Sequence, residues 1–342
     1  MGIFDRLHRS RSAVDLPKLA LSPLHEPVRS LAHFTDAPLD PIPLGVGDGA
    51  ELLNWNPSLH GDHLLIVNTT GRGGTVAARN VVEQCRTRGW QVIAADGKFD
   101  LLGLENEPNV SFLGLPAGGL SDPAIARSLA AVAIAHRIFT ERTNAARGGY
   151  DVAAHPVLLA LTELAGLMQA WRSFLPEEDV NSLHGMLDEM LRGGGPVRCH
   201  VLLLPASGHR WQVPIEWGRL CTQLLLGDLH EREIAPYTDE SSVRRLGRSN
   251  AAGRIPGRGV LVYPGEERTA DDARPIQTLY TYAPGSDPDS VDGWAEFKAQ
   301  VSDATPALHP QLRLDAQSAG FPDIAACTWT EIRRLPLVAE QR

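Results

Sequence analysis

The chain has few of the features of a disulfide-stapled, zinc-binding or membrane-spanning protein. Its 342 residues include only four cysteines, and these lack the paired CxxC spacing or neighbouring histidines that a zinc site needs. We therefore expect four buried free thiols. The longest apolar stretches, 128–135 and 155–161, are far shorter than the roughly 20 residues that cross a bilayer. We expect no membrane anchor.

The chain also has fewer basic than acidic residues. The 32 lysines and arginines against 41 acidic residues leave a formal net charge of −9. This balance argues against a surface that coats nucleic acid as a whole, although a local basic track is compatible with it. Residues 1–12 are basic but are followed by no apolar block or cleavage site, so we expect no secretory signal and a cytoplasmic location.

The middle of the chain alternates between strand and helix patterns. His63–Val67 is a compact apolar run, the turn 68–74 contains glycines, and 76–88 has helical spacing. A strand pattern returns at 89–96, which closes a unit of about 30 residues typical of a right-handed parallel crossover. The next predicted elements are a helix over 123–146, a strand over 156–163, a helix over 180–191 and a strand over 199–204. The alternation predicts an α/β fold with a mainly parallel sheet and helices on both faces.

The two ends of the chain are less regular. We predict three parts: an N-terminal arm over 1–43, a core over 44–283 that opens with a hairpin, and a proline-containing C-terminal appendage over 284–342. The later elements are predicted as a helix over 217–226, strands over 259–263 and 278–282, and a short helix over 291–301.

Residues 65–75, Leu-Ile-Val-Asn-Thr-Thr-Gly-Arg-Gly-Gly-Thr, lie where a phosphate-binding loop belongs, between a buried strand and a helix. They resemble the loop of FtsK/SpoIIIE-type DNA translocases, which reads G-x-T-G-S-G-K-S after H-L-L-I or similar. The positions that match are His63–Ile66, Thr70, Gly71, Gly73 and Thr75. Two chemically central positions differ. Asn68 replaces the first glycine, and Gly74 replaces the lysine that reaches the β- and γ-phosphates.

Segments before and after the loop resemble the same family in the same order. Asp96-Gly97-Lys98 is similar to the D-P-K that follows the family's second strand. At the end of the strand over 157–162, Thr162 replaces the aspartate of the acidic motif, whereas Glu163 keeps its glutamate. The other similar segments are Gly45 and Trp55 of the hairpin, 197–204, 213–215, 226–227 and 257–259. The resemblance covers roughly residues 44 to 282 and implies a degenerate member with a RecA-like P-loop NTPase core and altered Walker A and Walker B motifs.

The resemblance also implies an ATP and Mg²⁺ site at this loop. Its cofactor-binding residues are then Thr70, Gly71, Arg72, Gly73, Gly74, Thr75 and Lys98, with Thr75 as the metal ligand and Glu163 as the catalytic residue. Loss of the lysine and of the carboxylate at 162 removes several kcal/mol of transition-state stabilisation, at roughly 1.4 kcal/mol per tenfold in rate. Arg72 and Lys98 are the candidates to replace the lysine. From the residues alone, a simple glycine turn capped by Asn68 or Thr70 explains the loop equally well.

An arginine-rich and glycine-rich segment is the candidate for contacts with double-stranded DNA. The predicted DNA-binding residues are Arg244, Arg245, Arg248, Arg254 and Arg258. A solvated loop is the other interpretation. Motors of the family form hexameric rings around double-stranded DNA, so the resemblance implies a homo-oligomer or docking onto an active relative.

Three functional hypotheses follow. The preferred one is an FtsK/SpoIIIE-like protein with weak or lost ATPase activity that acts as a non-catalytic partner in DNA transfer or segregation, in a plasmid or phage setting. The second is an active ATP-dependent DNA motor with a rewired site. The third is a structural protein that uses the fold for protein contacts only.

Overall fold

A computed structural model describes residues 20–21, 37–98, 100–114, 121–152, 155–205, 213–227, 229, 255–265, 273–280 and 294–340. All four cysteines are buried free thiols, as predicted. Across these ranges, no helix is both long enough and apolar enough to cross a membrane.

The strands of the described residues form one large sheet and one small one. They are β1 (Ala20–Leu21), β2 (Ile42–Val46), β3 (Leu52–Trp55), β4 (His63–Asn68), β5 (Gln91–Asp96), β6 (Val110–Phe112), β7 (Val157–Thr162), β8 (Cys199–Leu204), β9 (Cys221–Leu226), β10 (Arg258–Val262), β11 (Ala273–Tyr280), β12 (Gln311–Leu314) and β13 (Leu337–Glu340). The large sheet has the order β3-β2-β11-β10-β9-β4-β8-β7-β5-β6, with β1 beside β11, and β12 pairs with β13. Strands β9 to β6 of that order are parallel, and β3 to β10 extend the sheet as antiparallel neighbours.

The helices lie on both faces of this sheet. They are α1 (Gly74–Thr87), α2 (Asp122–Arg147), α3 (Leu164–Phe174), α4 (Glu177–Gly193), α5 (Ile215–Arg219), α6 (Trp294–Ala304) and α7 (Trp329–Ile332), with 3₁₀ turns at Gly195–Val197 and Ile324–Ala326. Successive residues of a strand point to opposite faces. In β4, Leu65 and Val67 therefore join the apolar cluster under α2, α3 and α4, whereas Leu64 and Ile66 join the cluster under α1. The predicted α/β fold with a mainly parallel sheet is confirmed.

The helix predicted over 217–226 is wrong. Helix α5 ends at Arg219, and the buried run Cys221–Leu226 forms β9. β9 pairs in parallel with β4 along its whole length, from His63 opposite Cys221 to Asn68 opposite Leu226. A short, fully buried apolar run has no periodicity that separates helix from strand, so the pairing partner decided its structure.

Other helix and strand boundaries differ from the prediction by a few residues, and some elements were not predicted. The strand predicted over 278–282 is β11, which begins at Ala273, and residues 281–282 lie outside the described ranges. Helix α3 and the short strands β6, β12 and β13 were missed. The last residues of the predicted N-terminal arm contact the core, since Trp90 Nε1 donates to Leu39 O over 3.0 Å.

The described part of the C-terminal appendage packs on the core. Asn109 Nδ2 donates to Arg86 O and to Pro306 O, both over 2.9 Å, and its Oδ1 accepts the N–H groups of Leu308 and His309 over 2.8 and 3.0 Å. Trp329 and Ile332 of α7 belong to the same apolar cluster as α2. The division of the chain at residues 43 and 283 stays a prediction.

Candidate phosphate-binding site

The glycine loop lies at the carboxyl end of β4 and leads into α1, as the sequence pattern predicted. Gly71 and Gly73 have φ of +72° and +89°, a conformation that glycine adopts without the strain other residues meet. Two neighbouring segments hold the loop: Thr69 N donates to Leu226 O over 3.3 Å, and Gly257 N donates to Arg72 O over 2.9 Å. The carboxyl edge of a parallel sheet is where α/β proteins bind ligands.

The two altered loop positions touch each other. The side-chain amide of Asn68 lies beside Gly74, where a Cβ on residue 74 would overlap its Oδ1 and Cγ. Asn68 Nδ2 also donates to Thr69 O over 2.9 Å, which holds the amide in the loop. The larger residue at 68 and the absence of a side chain at 74 are therefore sterically linked.

Asp96, at the end of β5, organises the next turn. Its Oδ1 accepts the N–H groups of Lys98 and Asp100 over 2.9 and 3.1 Å, and its Oδ2 accepts that of Leu101 over 2.8 Å. Thr162 Oγ1, opposite Asp96 on β7, donates to the same Oδ1 over 2.8 Å. Both side chains are fully buried, so Thr162 is a structural partner of Asp96 in this fold.

The hydroxyl of Thr75, the expected metal ligand, donates to Asp100 Oδ1 over 2.7 Å. Asp100 is only 8% exposed, and burial raises the pKa of its carboxyl to about 6. The Thr75 hydrogen bond and Lys98 act in the opposite direction on this pKa, whereas Asp96 and Glu163 raise it further. A protein carboxylate thus lies at the hydroxyl that the resemblance assigns to Mg²⁺.

Glu163, the predicted catalytic residue, directly precedes α3 in a left-handed conformation with φ of +49°. Its Oε2 lies 3.8 Å from Lys98 Nζ, and the two side chains are 21% and 59% exposed. An ion pair this exposed contributes little to stability. The fold therefore brings together two of the predicted site residues, Glu163 and Lys98, at the rim of the loop.

The remaining predicted site residues lie on the loop itself or elsewhere. Thr70 and Gly71 are exposed, and Arg72 is half-buried with its stem over Gly227, where a Cβ would overlap Arg72 Cγ. Arg258 is buried at the start of β10, and its Nε donates to Gln277 Oε1 over 3.3 Å. The other predicted DNA-binding residues, Arg244, Arg245, Arg248 and Arg254, lie outside the described residues.

The loop as folded differs from an ATP and Mg²⁺ site in three respects. The amide of Asn68 fills the space beside Gly74, Asp100 takes up the Thr75 hydroxyl, and a neutral Thr162 stands where a metal-orienting carboxylate is needed. Among the residues described by the structure, no three His, Cys, Asp or Glu side chains are placed to hold a metal ion together. Nucleotide and metal binding by this chain stay predictions.

Sequence reasoning missed Asp100. It lies four residues after Asp96, just beyond the Asp96-Gly97-Lys98 segment that resembles D-P-K. Nothing in the local pattern pairs it with Thr75, which is 25 positions away. The substitution of Asn68 was noticed, but its contact with Gly74 depends on the curvature of the loop.

Solved structures share this fold. EssC (ATPases 2 and 3) from Geobacillus thermodenitrificans is similar over 90% of this chain and 53% of its own, with a TM-score of 0.57 and 11% identity. The cytoplasmic domain of the type VII secretion ATPase EccC from Thermomonospora curvata covers 92% of this chain and 36% of its own, with a TM-score of 0.56 and 17% identity. The pCW3 conjugation coupling protein TcpA, solved with ATPγS, is similar over 84% of this chain and 75% of its own, with a TM-score of 0.50 and 14% identity. No protein-family model and no curated protein matches the chain.

These likenesses define a class by its fold. The core is a RecA-like P-loop ATPase fold, and the structures that share it are FtsK/SpoIIIE-type ATPases. The resemblance inferred from the motifs is therefore confirmed at the level of the fold. The chain spans about half the length of the EssC protein that it matches.

Proposed function

We propose that this chain is a non-catalytic component of an FtsK/SpoIIIE-type assembly that transfers DNA, in a plasmid or phage setting, and that its ATPase activity is lost or very weak. The contact between Asn68 and Gly74 carries the proposal. A lysine at 74 would require the amide of Asn68 to move, so we infer that the change at 74 is coupled to the residue at 68. The loop has repacked around the absence of that lysine.

The cations near the loop support the same conclusion. Lys98 Nζ lies 3.8 Å from Glu163 Oε2 on the exposed rim, and the stem of Arg72 lies over Gly227. Phosphoryl transfer depends on positioning to within about an ångström. We therefore expect that Lys98, paired with Glu163, does not replace a lysine that rises from the first turn of α1.

The test is thermal unfolding of the chain with and without millimolar ATP and Mg²⁺. A ligand at 100 times its Kd adds about 2.7 kcal/mol to the free energy of unfolding. We expect no shift for the natural chain and an upward shift for the double variant Asn68→Gly, Gly74→Lys, which restores the lysine of the clamp. A shift in the natural chain, together with DNA-stimulated phosphate release that Glu163→Gln abolishes, would establish the active motor instead.

The proposed partners are double-stranded DNA and either further copies of this chain or an active relative in a hexameric ring, all in the cytoplasm. TcpA is by its description a conjugation coupling protein, which supports a DNA-transfer role. Sedimentation of the chain alone, with duplex DNA and with a catalytically competent relative separates these partners. A homogeneous monomer under all three conditions contradicts the proposal.

A second candidate is a module that uses the fold for protein contacts only. The burial of Arg258 and the net charge of −9 favour it, since both reduce the charge available for a phosphate backbone. DNA binding through several phosphate contacts weakens steeply with salt. No measurable binding to duplex DNA at 50 mM salt would favour this second candidate.

A further inference from the structure

We infer that Asp100 is a built-in competitor for phosphate, an internal latch that keeps polyphosphate ligands out of the glycine loop. The inference rests on the proposed function and adds a specific residue to it. Its basis is the hydrogen bond of 2.7 Å from Thr75 Oγ1 to Asp100 Oδ1. An incoming phosphate has to displace this carboxylate or share the hydroxyl with it.

The turn that follows β5 holds Asp100 in position. Four hydrogen bonds converge on the Asp96 carboxylate, and one of them comes from the backbone of Asp100 itself, over 3.1 Å. Gly97 packs closely behind, because a Cβ there would lie 3.0 Å from Glu163 Cβ and 3.2 Å from Leu167 Cγ. On the far side, Arg79 Nη1 of α1 donates to Leu102 O over 2.7 Å. The turn therefore has little freedom to withdraw Asp100.

The charges around Asp100 oppose a second anion. Asp96 and Glu163 both add negative potential at this carboxyl, while Lys98 opposes them from a side chain that is 59% exposed. Like charges at close range disfavour joint ionisation. A phosphate at the Thr75 hydroxyl would therefore face the carboxylates of Asp96, Asp100 and Glu163.

The experiment measures binding of inorganic pyrophosphate, without Mg²⁺, by calorimetry at pH 7.5. The variants are the natural chain, Asp100→Asn, which keeps an acceptor for Thr75 without the charge, and Asp100→Ser, which also removes bulk. The control is Asp62→Asn, because Asp62 is another carboxyl partly shielded from solvent, but it precedes β4 at the opposite edge of the sheet.

We expect both Asp100 variants to bind pyrophosphate at least tenfold more tightly than the natural chain at pH 7.5, and Asp62→Asn to bind as the natural chain does.

Equal affinities of the natural chain and both Asp100 variants overturn the inference, as does the absence of binding by all of them at 10 mM. A gain shared by Asp62→Asn also overturns it, because the effect is then one of net charge. The proposed function is judged separately, by ATP-dependent phosphate release from the natural chain. Hydrolysis would refute that function, while the ratio of pyrophosphate affinities would still decide the role of Asp100.

Discussion

The side-chain amide of Asn68 occupies the space into which a side chain at residue 74 would extend. Neither residue of this pair can be returned to the family pattern on its own without consequence. A lysine at 74 collides with Asn68, and a glycine at 68 leaves a gap beside Gly74. Two substitutions that look independent in the sequence are one structural change.

A double-mutant cycle tests this pairing. Gly74→Lys alone should lower the free energy of unfolding by about 1–3 kcal/mol, the usual range for overpacking a well-filled site. In the Asn68→Gly background the same substitution should cost less, with a coupling of about 1 kcal/mol or more. Urea unfolding of the four proteins measures the coupling. Additive effects would show that the two positions do not interact.

A buried ionic cluster joins the end of α1 to α6. Arg86 is fully buried, its Nη2 lies 2.6 Å from Glu83 Oε2, and its Nη1 lies 3.1 Å from Glu107 Oε2. Ser302 of α6 donates to Glu107 in turn. Arg86→Met should lower the free energy of unfolding by roughly 3–5 kcal/mol, because two carboxylates lose their buried partner.

Arg192 provides the matched control for Arg86. It pairs with Asp188 over 2.7 Å on the surface of α4 and is 55% exposed. Arg192→Met should change the free energy of unfolding by less than about 1 kcal/mol, because solvent screens exposed pairs. If both variants lose a similar free energy of unfolding in urea, the buried Arg86 cluster does not stabilise the fold more than an exposed ion pair does.

The side chain of Asn109 binds the C-terminal segment to the core. We expect its removal to lower the free energy of unfolding. Asn109→Ala removes both the donor and the acceptor that hold residues 306–309, and each buried group left unpaired costs about 1–3 kcal/mol. The backbone at 109 has φ of +65°, which adds strain for alanine. Asn109→Gly accepts this conformation, so it should lose about 1 kcal/mol less than alanine does.

Limited proteolysis provides the second readout for Asn109. Cleavage within the C-terminal segment should accelerate in both variants, because both lose the side chain that binds it. If the cleavage rate is unchanged although the free energy of unfolding falls strongly, the Asn109 substitutions destabilise the core rather than release the C-terminal segment.

Two buried histidines predict a loss of stability in acid. Burial lowers the pKa of His63 to about 3 and that of His200 to about 4, against about 6.5 for histidine in the unfolded chain. The unfolded state therefore binds more protons as the pH falls below about 6.5, and the free energy of unfolding decreases until the folded pKa values are reached. Above about pH 6.5 this contribution does not change.

Replacing one of the histidines isolates its share of the pH dependence. His200→Asn should reduce the slope of stability against pH between about pH 6 and 4.5, where the full effect of one histidine is about 1.4 kcal/mol per unit. The raised pKa of Asp100 acts with the opposite sign between about pH 4 and 6, so the comparison must be made between variants at the same pH. An unchanged slope would mean that His200 titrates alike in both states.

Several parts of the fold were predictable because they are local. The apolar run His63–Val67, the glycines of the loop and the helical spacing after them predict a strand, a turn and a helix without reference to any other segment. β9 was not predictable in this way, because a uniformly buried run does not distinguish a strand from a helix. Its pairing with β4 makes it a strand. The C-terminal strands β12 and β13 are short, and their pairing is with each other at the end of the chain.

The sequence by itself determined the α/β class, the place of the glycine loop and the presence of uncharged residues, Gly74 and Thr162, at two of its predicted site positions. These follow from residue types and from patterns that span a few neighbours. Only the tertiary structure decided which side chains surround the loop, because Asn68 contacts Gly74 through the curvature of the loop and Thr75 contacts Asp100 of a different segment. Contacts between side chains distant in sequence depend on how strands pair and how turns are held, and local sequence patterns do not encode them.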